Sequence, residues 1–473
     1  MLPFALLLFL FSTWTFIGYT LLSLLWSRRN LLQNLLLAPS VGVGLIVVLV
    51  FWLNRAGLPV SRFGPALFLS LLVAAGLAHR RLRVPIPWRP YLPFAGIFLL
   101  TALLTGGPMF EFGFNWLAYC NDDMANYVLA GHRFVENSYF EALPLRDLLT
   151  NRDLSAYYWE VHVAEGIRSG SDLLLAFVIS WSRLTGHQVF MPVILALNLA
   201  LVSATGALVM RSRKFRTAAM AVCLLVGLSA MNSLGTLLQL IGQVFGLMML
   251  TSCATLFLKP PPTGNLLKRV QISLLPALQF AATLIVYPEV LPFFILSCGI
   301  YFGLRLLRRR QAITPAFAHF TVIGLFTSVF LNNYLQNAYS FLLQQMRAAS
   351  GNFTGTGNFI LFPFFLLPSG LAQLWGFFPA FKLIDEPMLT VAIVAGGILL
   401  VLSVIAVILQ TWRGQPAAAV ALAMLIGALN LARHQADYGL FKIAMFAQPF
   451  VLSTIVCAWL RWNGEVLPEH TNI

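Results

Sequence analysis

The sequence predicts an all-α membrane protein, a polytopic bundle of about thirteen transmembrane helices with juxtamembrane helices in its first large external loop. Three observations predict it. Of the 473 residues, 59% are hydrophobic and only 10% charged, where soluble domains carry roughly a quarter charged residues. Apolar runs of 17 to 25 residues recur along the whole chain, the length that crosses a hydrocarbon core as a helix. They lack the period-two alternation of a membrane β-barrel. Finally, the basic residues lie in short connectors between these runs, which is the positive-inside pattern that sets orientation. The same placement accounts for the net charge of +14 without a nucleic-acid partner.

The connectors order the spans. The first run (3–26) is followed by Arg28-Arg29 and has no basic residue ahead of it. It therefore reads as an uncleaved helix with its N-terminus outside. Spans 34–53 and 63–78 go out and return to His79-Arg80-Arg81-Leu82-Arg83, and span 91–106 goes out again. The next strongly basic connector is Arg211-Ser212-Arg213-Lys214-Phe215-Arg216. Only one crossing fits between it and residue 106, because two would leave that connector outside. The interrupted run 172–185 is thus expected to be juxtamembrane or re-entrant, and 188–210 to be the fifth span. Spans 217–231, 236–257, 270–287, 290–306, 314–332, 388–410, 416–432 and 440–460 then alternate, which leaves the C-terminus cytoplasmic. Trp26, Trp52, Trp88, Trp412 and Trp459 fall near run ends, where interfacial aromatics belong.

This divides the chain into an N-terminal three-helix extension (1–79), a main transmembrane region (80–460) and a short tail (461–473). External loops are expected at 107–187 and 333–387. Ten of the sixteen acidic residues fall between Glu111 and Asp172, inside the first of these loops. Four of the five cysteines lie inside apolar runs, where they pack as small hydrophobes, and no metal-ligand spacing appears.

Three clusters on the outer side could carry chemistry. In Asn121-Asp122-Asp123-Met124-Ala125-Asn126-Tyr127, Asn121 or Asp122 can cap a helix on which Asp123 and Tyr127, four apart, share a face. Met124, Val128, Gly131 and Val135 form a neighbouring apolar face suited to the bilayer surface. Tyr287-Pro288-Glu289 closes the 270–287 span with an ionisable residue at membrane depth, a functional candidate by default; an interfacial Glu at a helix end is the plainer reading. Arg433-His434-Gln435-Ala436-Asp437-Tyr438-Gly439-Leu440-Phe441-Lys442 gathers cations outside, against the positive-inside bias. There His434, Tyr438 and Lys442 share a face if the segment is helical. A phosphate partner explains that cluster, and pairing of Lys442 with Asp437 is the alternative. His132 and His162 have no second ligand at metal spacing. Gly355-Thr356-Gly357 is too weak for a phosphate loop, and Asn352-Phe353-Thr354 matches a glycosylation sequon.

A basic connector (Arg80-Arg81-Leu82-Arg83), one outward helix, and a long external loop with Asp122-Asp123 near its start and Tyr127 after it resemble the GT-C superfamily of integral-membrane glycosyltransferases. The resemblance spans roughly residues 80–460, from the charge-ordered spans. The chain departs from the family in its three extra leading helices and in lacking a C-terminal periplasmic domain. The resemblance implies sugar transfer from a polyprenyl-phosphate donor to a glycan or lipid acceptor, at the outer face of a bacterial plasma membrane. It implies Asp122 or Asp123 as general base and Arg433, His434 and Lys442 on the lipid phosphate. Tyr127, Tyr287 and Glu289 would bind sugar or acceptor. No cofactor is indicated, although a minority of the family holds a divalent cation on loop acids. Two other readings compete: an O-antigen-type polymerase or ligase, and a non-enzymatic lipid or solute transporter. The first places its key loop late in the chain, and the second favours internal repeats and charge at mid-helix depth.

Overall fold

The computed structural model describes residues 1–26, 30–118, 122–141, 145–150, 168–259, 266–308, 313–350, 367–377 and 384–463. Among the described residues the secondary structure is helical and no strand occurs. The main helices are α1 (Leu2–Leu25), α2 (Leu31–Arg55), α3 (Val60–Leu82), α4 (Trp88–Gly106), α5 (Asp122–Glu136) and α6 (Gly170–Ser182). They continue as α7 (Gly186–Val209), α8 (Arg216–Gly227), α9 (Ala230–Leu237), α10 (Ile241–Phe257), α11 (Leu266–Val286) and α12 (Leu291–Leu307). The last five are α13 (Ile313–Leu331), α14 (Tyr334–Ser350), α15 (Met388–Trp412), α16 (Pro416–Arg433) and α17 (Asp437–Trp462).

Local chemistry sets the helix ends. Asn30 caps α2 by accepting the Gln33 N–H at 3.1 Å, which satisfies one of the free donors of a first turn. The α3 helix stops at Arg83, whose φ of +49° lies in the left-handed region. His79, Arg80 and Arg81 fill its last turn, where positive charge complements the helix dipole.

Nine helices among the described residues are long and apolar enough to cross a membrane, and three bent pairs bring the number to twelve. The chain is a multi-pass membrane protein. The bends occur where α4 meets Met109–Asn115 (69°), between α8 and α9 (50°), and between α13 and α14 (103°). At the sharpest, Asn332 has a φ of +53°, a conformation that ends the helical hydrogen-bond pattern. The run read as a span over 236–257 differs from that expectation. Gln239, at φ +63°, breaks it, so that α10 begins only at Ile241. Its 17 residues are all buried and, at about 1.5 Å per residue, reach about 25 Å, the lower end of the lengths that cross a membrane.

The chain divides into two compact units. The first comprises Met1–Ala204, Gly235–Val290 and Ile313–Leu342. In it α1 and α2 cross so closely that a Cβ on Gly18 would strike the Ala38 and Gly42 backbone, and one on Gly42 the Trp14 backbone. Small residues let helix backbones approach where no hydrophobic effect drives association. The expected juxtamembrane helix is α6, and its residues Gly170 to Ile179 are buried against α2, α3 and α5. Apart from Ser171 and Asp172 this buried stretch is apolar, which is why the run resembles a short span.

The second unit comprises Thr205–Leu234, Leu291–Ala312 and Leu343–Ile473. Here α16 packs on α12, α15 and α17. Only 17% of the α15 span window is buried, leaving Val394, Ile398 and Val401 to face lipid.

Replacing Gly42 by Leu is expected to destabilise the first unit by about 1–3 kcal/mol through overpacking. The melting temperature of the detergent-solubilised protein should fall. Gly76→Ala, at a position with open space around its Cβ, should leave it unchanged or slightly raise it.

Candidate functional site

The site is built from three stretches of the first unit. Helix α5 begins at Asp122, so Asp122 and Asp123 occupy the turn where negative charge meets the positive end of the helix dipole. One turn on, Tyr127 is 5% exposed, and Ala130 and Phe134 continue its buried face. The apolar face expected to lie on the bilayer instead meets protein. A Cβ on Gly131 would touch Leu175 and the Asp172 carbonyl, and Val128 lies against Gly186. Gly131 lets the α5 and α6 backbones approach, which secures α5 on a buried helix.

The second stretch is Arg168 and the start of α6. Arg168 immediately precedes Ser169, the N-cap of α6, and its Nη1 donates to the Tyr127 hydroxyl at 3.3 Å. The third is Tyr287-Pro288-Glu289. Because proline lacks an N–H, α11 stops at Val286, and Pro288–Val290 forms a single 3-10 turn before α12. That turn delivers Glu289 to Arg168, with Oε1 2.9 Å from Nε. The contact is an ion pair, and its N–H is not aligned for a hydrogen bond. The guanidinium also lies 5.0 Å from the centre of the Tyr287 ring, a cation–π distance.

Helix α10 makes the floor. Gly242 and Gly246, four apart, share one face; a Cβ on Gly242 would sit 2.6 Å from the Tyr127 hydroxyl oxygen, and one on Gly246 2.5 Å from Tyr287 Cβ. Both tyrosines therefore use the space of absent side chains.

Electrostatics fix the protonation states. Burial pushes the Tyr127 phenol well up, Arg168 opposes this, and Asp123, Asp172 and Glu289 add to the rise. Tyr127 is a neutral phenol throughout the physiological range. Burial works against the Arg168 charge, but Glu289, with Tyr127, Tyr287 and Asp123 behind it, holds its pKa well above the ordinary value. Arg168 is a permanent cation with a quarter of its side chain accessible, and Glu289 keeps 17% of its own. Glu289 Oε2 is buried and has no hydrogen-bond partner, which leaves an acceptor for an incoming group.

The structure thus gathers Asp123, Tyr127, Tyr287 and Glu289 about Arg168, the residue sequence reasoning missed. A signal for it existed. Arg168 stands at the N-terminal end of an apolar helix, where the helix dipole disfavours a cation, so a counterion had to come from elsewhere. Asn121, His162, Gly351 to Gly357 and the Asn352 sequon lie outside the described residues.

The cationic cluster belongs to the second unit and takes a different form from the one expected. The α16 helix ends at Arg433, His434 is its C-cap, Gln435 has a φ of +53°, and α17 starts at Asp437. The break removes His434 from the face that Tyr438 and Lys442 share, because an acid in the first turn of α17 favours starting a new helix there. Lys442 Nζ lies 4.3 Å from the centre of the Tyr438 ring. An apolar cavity of about 220 Å³ in this unit is lined by Leu371, Leu374, Val404, Met424, Ile443 and Val451. Residues 438 and 442 lie on the opposite face of α17, at 100° per residue.

His132 packs rather than ligates. Its Nε2 accepts the Gly186 N–H at 3.1 Å, which requires the neutral ring with its proton on Nδ1. Among the described residues no three His, Cys, Asp or Glu side chains gather as a metal site. No protein-family model, no curated protein and no solved structure matches the chain.

Two outcomes are expected. Gly242→Ala should displace Tyr127 and strain the Arg168 contact, lowering stability by about 1–3 kcal/mol, measured by thermal unfolding. Burial lowers the His132 pKa, with Glu136 opposing and His187 assisting. The unfolded chain therefore binds the proton more readily, and stability is lost as pH falls below the ordinary value of about 6.5. His132→Gln, whose amide oxygen can still accept the Gly186 N–H, should show a smaller drop in melting temperature between pH 7 and 5.

Proposed function

We propose that the chain is a membrane glycosyltransferase that moves a sugar from a polyprenyl-phosphate-linked donor to a glycan or lipid acceptor at the outer face of a bacterial plasma membrane. One observation carries this reading: two stretches singled out by their chemistry converge on one arginine, one through Tyr127 and the other through Tyr287 and Glu289. A carboxylate beside a permanent cation and aromatic rings suits a polyhydroxylated substrate, whose hydroxyls both donate and accept.

In the proposed reaction an acceptor hydroxyl attacks the anomeric carbon of the donor. The new carbon–oxygen bond forms as the bond to the carrier phosphate breaks, and the phosphate leaves with the electron pair. Asp123 takes the acceptor proton as general base, with Asp122 supporting it at the start of the same helix. The neutral Tyr127 phenol cannot serve as the base. Its hydroxyl, held by Arg168, and the free Glu289 Oε2 fix substrate hydroxyls. The resemblance further implies Arg433, His434 and Lys442, which belong to the second unit, as contacts of a lipid phosphate, a group whose negative charge cations stabilise.

The proposed topology has thirteen crossings, with the N-terminus outside, the C-terminus cytoplasmic and α5 on the outer side. Alkaline phosphatase fused after Glu141 should be active in export-dependent assays, and a fusion after Arg216 inactive. The reverse pattern would invert the topology.

A transporter is the second reading, and the three bent helix pairs favour it, because discontinuous helices line transporter sites. Purified protein in liposomes with candidate polyprenyl-phosphate sugars separates the two. The glycosyltransferase reading expects product formation that Asp123→Asn lowers by about 10²–10⁴-fold. Full transfer by both Asp122→Asn and Asp123→Asn would sink the general-base assignment, and solute uptake without product would favour the transporter.

A further inference from the structure

A second polar cluster in the first unit is used by none of this chemistry. Arg55, the last residue of α2, is caged by rings: its guanidinium carbon lies 4.5 Å from the ring centres of Tyr139 and Phe140, 5.1 Å from Phe51 and 5.7 Å from Tyr334. The rings balance part of the charge. The five N–H donors point outward in the guanidinium plane. Nη2 donates to Asn333 Oδ1 at 2.6 Å, whereas Nη1 is buried with no acceptor. Among the described residues no carboxylate pairs with Arg55, and its electrostatic neighbours are Tyr139 and Tyr334.

Three buried hydroxyls gather nearby. Tyr139, Tyr334 and Ser169 are 2%, 0% and 0% exposed, and none of their oxygens has an aligned hydrogen-bond partner. Ser169 lies within hydrogen-bonding reach of both tyrosine hydroxyls, and Tyr139 of Arg55, though none of these contacts is well aligned; Asp172 acts electrostatically on Tyr139 and Glu289 on Tyr334. Ser169 is also the N-cap of α6 but makes no side-chain cap, so its hydroxyl is not engaged by its own helix. Buried donors whose hydrogen bonds are poorly aligned cost free energy, and an arginine that no described carboxylate pairs with adds to that cost.

We propose that Arg55, Tyr139, Tyr334 and Ser169 form a binding site for a phosphate group. Arg55 and the three hydroxyls together supply enough donors for the several acceptor oxygens of a phosphate, and arginine is suited to grip it through two N–H bonds. Of the four rings, Phe51, Tyr139 and Tyr334 are buried, whereas Phe140 is 63% exposed. Entry therefore runs through displacement of Phe140. The phosphate is either free or the head of a lipid. The site holds whether or not sugar transfer occurs, because its test measures binding.

Full-length protein is placed in phosphatidylcholine nanodiscs and its thermal unfolding followed against inorganic phosphate, with sodium chloride matched for ionic strength. A second set of nanodiscs replaces part of the phosphatidylcholine with dioleoyl phosphatidic acid. Stabilisation that saturates with inorganic phosphate identifies a free anion, and stabilisation only by phosphatidic acid identifies a lipid phosphate. In either case Arg55→Gln should weaken binding about tenfold or more. Tyr334→Phe, which removes one buried hydroxyl and keeps the ring, should weaken it to a lesser extent. Phe140→Ala should speed association. Stabilisation by neither probe, or equal stabilisation in wild type, Arg55→Gln and Tyr334→Phe, overturns the proposal and leaves an internal, water-satisfied cluster.

Discussion

The contact between Arg168 and Glu289 is the constraint on which the candidate site depends. It ties the entrance of a buried helix to the turn after a membrane-length one, across 121 positions of sequence. Once Arg168 is fixed, its other nitrogen reaches Tyr127 and its face meets Tyr287. Partial burial makes the pair costly to form and more costly to break, because either partner alone would be a less well solvated charge. Such a contact specifies one arrangement among several that apolar packing would tolerate.

Glycine complements that charge. In a bilayer, apolar side chains gain nothing by leaving lipid for another helix, so close approach and polar contacts decide the packing. Gly18 and Gly42 bring α1 against α2, Gly131 brings α5 against α6, and Gly242 and Gly246 admit Tyr127 and Tyr287. The bulky apolar residues that dominate the composition fill space, while the small ones set which helices meet.

Much of this was legible in the sequence, for identifiable reasons. Hydropathy and basic connectors report helices directly, because membrane burial demands long apolar runs. The helix of Asp122, Asp123 and Tyr127 followed from local spacing, and the break before Glu289 from Pro288. Gln239 and Gln435 were opaque, since a left-handed residue other than glycine leaves no mark in composition. Their breaks shortened α10 and separated His434 from Tyr438 and Lys442. Arg168 was also missed, because its partners are remote in sequence and its own neighbourhood looks like an ordinary polar loop. The apolar face of α5 fits a membrane surface as well as a neighbouring helix, and only the position of Gly131 against Asp172 and Ala176 decides between them.

The central claim is that Arg168 and Glu289 act as one unit. A double-mutant cycle on thermal unfolding of the purified protein, using Arg168→Met, Glu289→Gln and the combination, measures this directly. The pair as described predicts that the double variant recovers part of the loss, with a coupling of about 1–3 kcal/mol. Single losses that simply add, within about 0.5 kcal/mol, would contradict it.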